Sequence, residues 1–187
     1  MRRDNCAMSL RARRPAAALP CVGAAAALLC ACSPNLDWRE LRPANAAVMV
    51  TMPCKPSSQS RKLRLADTTV ELALHACSAA GATWALSYAD MIDPGKVTPA
   101  LMELQSAARA NVSATQVTAQ PARVSGATPN VQSVLAVIEG TMPDGSKVQE
   151  HIVVFAKATR VYQATVAGPT VAPEAAQVFF ESIRSLP

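Results

Sequence analysis

The sequence predicts an α+β fold: an antiparallel β-sheet of about six strands with two packed helices, preceded by a signal peptide. Three observations carry that prediction. Apolar residues alternate with polar ones in several separate runs between positions 48 and 166, the period of strands with one buried face. Runs near 98–112 and 173–183 instead repeat their apolar residues at helical spacing. The first 31 residues place arginines before an uncharged apolar stretch, the order of a secretory leader.

A chain of 187 residues, 50% of them hydrophobic, suits one domain plus processing segments. Aromatics make up only 4%, so most of the core rests on Ala, Val, Leu and Ile. The formal charge of +5 is unevenly placed. Of the 18 basic residues, Arg2, Arg3, Arg11, Arg13 and Arg14 precede Cys32 and face Asp4 alone, which leaves 13 basic against 12 acidic from residue 32 onward. A nearly neutral mature chain has no broad electrostatic footprint for nucleic acid.

The apolar run from Ala16 to Ala31 ends in Leu29-Cys30-Ala31-Cys32, which resembles the bacterial lipobox. That resemblance implies cleavage before Cys32, a diacylglycerol on its thiol and often a third acyl chain on its amine, together a lasting anchor. Cys32 is thus the expected lipidation site, and the membrane is the first expected partner. A retained transmembrane helix is the alternative, but the run is shorter than the roughly 20 residues a span needs and contains Pro20. Arg13-Arg14 suggests twin-arginine export less well, because Pro15 and Ala16 follow. Met8 offers a second possible start. Ser33 after Cys32 favours the outer membrane over the inner by analogy with lipoprotein sorting. The expected organisation is a signal peptide at 1–31, a tether at 32–45 and a single domain at 46–187.

Pro34, Pro43 and mixed charge mark the tether. Two readings stand for Trp38 within it, a seat at the membrane interface or a cover for an edge of the domain. Val48, Val50 and Met52 then begin the strand pattern, which Pro53 and Pro56 end. Leu63 and Leu65, then Val70, Leu72, Leu74 and Ala76, alternate on either side of Asp67-Thr68 as a hairpin. Trp84, Leu86 and Tyr88 form the next alternating set and are expected to face the core.

Cys54 and Cys77 are the only cysteines after Cys32. In an oxidising compartment they have one possible pairing, and closing that loop is worth about 3 kcal/mol on the chain-entropy view. A redox or metal pair with His75 is the rival, although a CxxC and a fourth ligand are both missing.

Asp93-Pro94-Gly95 reads as a loop, Thr98 as a helix N-cap and Pro99 as the first helical residue. Leu101, Leu104, Ala108 and Val112 follow at helical spacing, while Met102 and Met52 read as core filler. Residues 111–130 read as a surface loop, with a strand possible at 116–118 or 122–124. Val131 to Thr141 and Lys147 to Lys157 flank Asp144-Gly145 as a hairpin. Arg160 to Val166 adds a third antiparallel strand with Tyr162, Ala164 and Val166 on one face. Pro173-Glu174 opens the last helix, with Ala176, Phe179, Phe180 and Ile183 inward.

The strings SPNLDWRE (33–40), MPCKP (52–56), GATWALSYAD (81–90), RVYQATV (160–166) and FFESIRSL (179–186) resemble an uncharacterised group of proteobacterial lipoproteins. The architecture is similar to the PsbP-like α/β sandwich. The resemblance implies no catalytic residues and no cofactor.

His75 and His151 have no HExxH, GxSxG or Gly-rich phosphate loop nearby, and the sequence is read as non-enzymatic. The expected function is an accessory or scaffolding lipoprotein of the envelope, facing the periplasm, with an envelope protein as partner. A module for a small or lipidic ligand is the alternative. A pocket between helix and sheet favours the second reading, and a charged face with an open sheet edge favours the first.

Overall fold

The computed structural model describes residues 36–187. Its main element is a seven-stranded antiparallel sheet made of two meanders. The first contains β3 (Ser57–Leu65), β4 (Thr68–Ala79) and β5 (Ala82–Asp90). The second contains β6 (Gln116–Pro121), β7 (Val134–Thr141), β8 (Lys147–Lys157) and β9 (Arg160–Gly168). They join where β5 pairs with β9, which gives the order β3-β4-β5-β9-β8-β7-β6. A separate three-stranded sheet sets β2 (Val48–Met52) between β1 (Arg39–Leu41) and β10 (Arg184–Ser185).

Helix α1 (Val97–Asn111) crosses one face from β5 to the far edge and packs on β8 and β9. Helix α2 (Pro173–Glu181) and β2 cover the opposite face. The apolar residues divide accordingly. Ile152, Val154 and Ala156 of β8 join Leu101, Ala108, Ile138 and Val161 under α1, while Val153 and Phe155 join Trp84, Leu86, Tyr162, Ala164, Val166 and Phe179 under α2. β8 is buried on both sides because it is central and covered on both. All seven aromatic residues of the chain belong to the α2-side cluster or pack against it.

That cluster has defined geometry. The Trp84 and Phe179 rings meet edge to face at 5.5 Å, Trp38 meets Trp84 in the same way at 6.1 Å, and Phe155 stacks on Tyr162 at 4.7 Å. Buried polar tips find backbone acceptors, as such groups must. Trp84 Nε1 donates to the Ala79 carbonyl at 3.1 Å and the Tyr162 hydroxyl to that of Ala46. Burial pushes the Tyr162 hydroxyl up to about 12, so it stays a neutral donor. Trp38 therefore covers an edge of the domain, the second of its two readings.

Several turns follow from local chemistry. Ala66 and Asp67 both have positive φ, which makes the β3–β4 connection a two-residue turn of the mirror-image kind that fits strand twist. The Asp144-Gly145 hairpin is longer. Thr141 and Lys147 are the last pair, and Gly145 alone in that loop has positive φ. Gly140 answers a different demand. A Cβ there would lie 2.0 Å from the Val112 carbonyl oxygen, so only glycine lets the end of α1 dock against β7.

The structure differs from the sequence reading in four places. Arg39–Leu41, read as tether, pair with β2 as a strand. Residues 116–121, read within a surface loop, form edge strand β6, whose residues are all exposed and so show no alternation. The helix start lies earlier than Thr98: the Asp93 carboxylate accepts from Gly95 N, Pro94–Lys96 make a 3₁₀ turn, and α1 continues from Val97. Proline fits there because the first helical amides lack partners anyway. Met52 fills the core, whereas Met102 faces solvent. The sheet thus holds seven strands where about six were expected, with three more in the small sheet. The two packed helices are present.

Candidate functional site

The proposed lipidation residue, Cys32, lies outside the described residues, as do the leader and its cleavage site. Cys54 and Cys77 are joined by a disulfide with Cα atoms 6.0 Å apart. It closes a separation of 23 residues and ties the chain just after β2 to β4. His75 shares the pleat phase of Cys77 but makes its own bonds. Among the described residues, no three His, Cys, Asp or Glu side chains stand together as a potential metal set.

β3 and β4 bring Ser58 opposite His75, and the Ser58 Oγ lies 2.7 Å from His75 Nδ1. The imidazole stacks on Tyr88 of β5, with ring centroids 6.0 Å apart. Next to this pair, Ser60 Oγ donates to Glu71 Oε1 at 2.6 Å. Burial lowers the His75 pKa, so its ring is neutral near pH 7. A neutral imidazole beside a hydroxyl has the outline of a base and nucleophile. Here the hydroxyl is exposed, and no side-chain bond orients the far ring nitrogen among the described residues. The contact acts as a cross-strand pair that holds β3 in register.

The second histidine sits beside a group that the sequence reading did not single out. Glu150 and His151 are neighbours on β8 and so face opposite sides of the sheet. His151, half-buried, has an unpartnered Nε2, and burial lowers its pKa. Glu150 is only 6% exposed, and its Oε2 has no hydrogen-bond partner. Burial without compensation raises its carboxyl to about 7. The signal was present in the sequence. Glu150 has the same phase as Val148, Ile152 and Val154, which are all buried, so an acid stands in an inward row.

Glu150 forms part of the wall of a pocket of about 360 Å³ at the C-terminal end of α1. Thr83 of β5, Ala167 of β9 and Glu150 lie in one row across three strands, because Ala167 pairs with both of the others. Asn111 and Val112 at the end of α1 and Met142 and Lys147 from the β7–β8 hairpin complete the wall of this open pocket. A larger opening of about 530 Å³ lies between residues 121–131 and Phe155. Its buried chemistry is a single unpartnered hydroxyl on Ser133.

The outer strand β3 is a further candidate surface. Residues 57–62 are exposed, and the strand carries Arg61, Lys62 and Arg64 along an edge of the sheet that is free among the described residues. No helix among the described residues is long and apolar enough to cross a membrane. The chain matches no protein-family model, and no curated protein matches it.

Proposed function

We propose that this protein is a lipid-anchored periplasmic lipoprotein of the bacterial envelope, held by acyl chains on Cys32, that acts without catalysis as an accessory or scaffolding partner of another envelope protein. The observation that carries the reading is the free, positively charged edge of β3, which presents backbone donors and acceptors to a second chain. The Cys54–Cys77 bridge supports an oxidising compartment. The helix on each sheet face supports the resemblance to the PsbP-like sandwich. With β1 beginning at Arg39, only a few residues separate Cys32 from the folded domain, so the domain would stay close to the bilayer. The ligand-binding alternative draws on a separate observation, the pocket beside Glu150.

Two measurements test the proposal. Cys32→Ser is expected to move the protein out of the membrane fraction and remove the lipid mass, and persistence of both contradicts the anchor. A photo-crosslinking residue at Lys62 in the anchored protein is expected to trap one reproducible envelope protein, whereas the same probe at exposed Met102 is not. Equal or absent trapping at both positions contradicts the accessory role.

A further inference from the structure

Glu150 places a carboxylate where water barely reaches, and among the described residues its Oε2 has no donor. A native fold that buries an acid in this way loses free energy unless something arrives to bond it. A carboxylate only accepts hydrogen bonds, so the missing group is a donor, and a cation meets the need best. The neighbouring wall points the same way. The C-terminal end of the fifteen-residue α1 at Asn111 and Val112 borders the same pocket, and a helix C-terminus carries partial negative charge. Thr83 and Asn111 add polar oxygens, while Val112, Met142, Val148, Ala167 and Pro169 add apolar surface. Lys147 is the other charged side chain of this wall among the described residues, and it stands exposed at the rim, where solvent screens it.

We propose that this pocket binds a compact aliphatic amine, with the ammonium on Glu150 and the hydrocarbon against the apolar wall. The volume of about 360 Å³ is at the small end for ligand pockets, which limits the guest to a short chain. The inference rests on the pocket alone and holds with or without a lipid anchor or a protein partner.

The test titrates full-length protein with n-hexylamine, and in parallel with 1-hexanol and hexanoate, by calorimetry. Hexylamine is expected to bind saturably and the two controls at least about tenfold more weakly, about 1.4 kcal/mol. Since the amine stays protonated throughout, ionisation of Glu150 is expected to tighten binding about tenfold between about pH 6 and pH 8. E150Q is expected to lose both the affinity and the pH dependence. Ala167→Met, which fills the pocket from its floor, is expected to abolish binding with circular dichroism unchanged. Equal binding of hexanol or hexanoate, unaltered hexylamine binding by folded E150Q, or no saturable binding by the wild type overturns the proposal.

Discussion

The cluster between α2 and the sheet takes in every Trp, Tyr and Phe of the chain, with Trp84 and Tyr162 bonded at their polar tips. Beneath α1, the buried cluster holds no aromatic ring, and the same sheet surface runs on to an acid without a partner among the described residues. The two faces differ in kind because large rings interlock with defined ring-to-ring geometry, whereas Ala, Val, Leu and Ile pack without it. Ring-to-ring packing is confined to one side of the sheet, and the buried unpartnered carboxylate lies on the other. The aromatic side has unpartnered polar atoms of its own, His151 Nε2 and the hydroxyls of Ser133 and Ser185, but none of them is a carboxylate.

The largest expected effect breaks the aromatic face. Phe179→Ala removes the ring set edge to face against Trp84 and should cost about 3–5 kcal/mol in denaturant unfolding. Leu101→Ala, the matched deletion beneath α1, should cost about 2–5 kcal/mol and fall below it, since no ring pair is lost. A larger loss at Leu101 would remove the asymmetry. Next comes the disulfide. The double change Cys54→Ala with Cys77→Ala should lower stability by about 3 kcal/mol, set by the 23-residue separation it closes. Reducing and alkylating the wild type should reproduce that loss. Smaller again, Gly145→Ala puts a side chain at positive φ in open space and should cost only about 1 kcal/mol.

How far the sequence foretold each region follows the same division. Val48, Val50, Met52, Trp84, Leu86, Tyr162, Ala164 and Val166 alternate cleanly because one of their two faces is more deeply buried than the other; the pattern reads as strands, and for Trp84 and Leu86 it also predicts the inward side. Phe179 and Ile183 were legible through helical spacing. The edge strand β6 was not, since a strand exposed on both sides has no pattern to read. β1 escaped notice because three residues are too few to show a period. The proposed lipid site was read from Leu29 to Cys32, a chemical motif that needs no fold. Glu150 was hidden for another reason. Its phase was visible, but its want of a partner depends on which side chains the fold brings around it, Thr83, Asn111 and Ala167 among them, residues far apart in sequence.

The central claim is that the α1 face keeps a buried carboxylate without compensation. Its folded pKa of about 7 lies above the unfolded value, so the folded state holds the proton longer. Both states are protonated below about pH 4, and the penalty therefore grows as pH rises through the window up to about 7 and is complete above it. His75 and His151, lowered by burial, contribute in the opposite sense, losing stability as pH falls below about 6.5, and they cancel when two variants are compared at one pH. The direct measurement is urea unfolding of wild type and E150Q at about pH 5 and pH 8, with a predicted difference that moves in favour of E150Q by roughly 1–3 kcal/mol at the higher pH. An unchanged difference, or one that moves in favour of the wild type, would contradict an uncompensated acid at position 150.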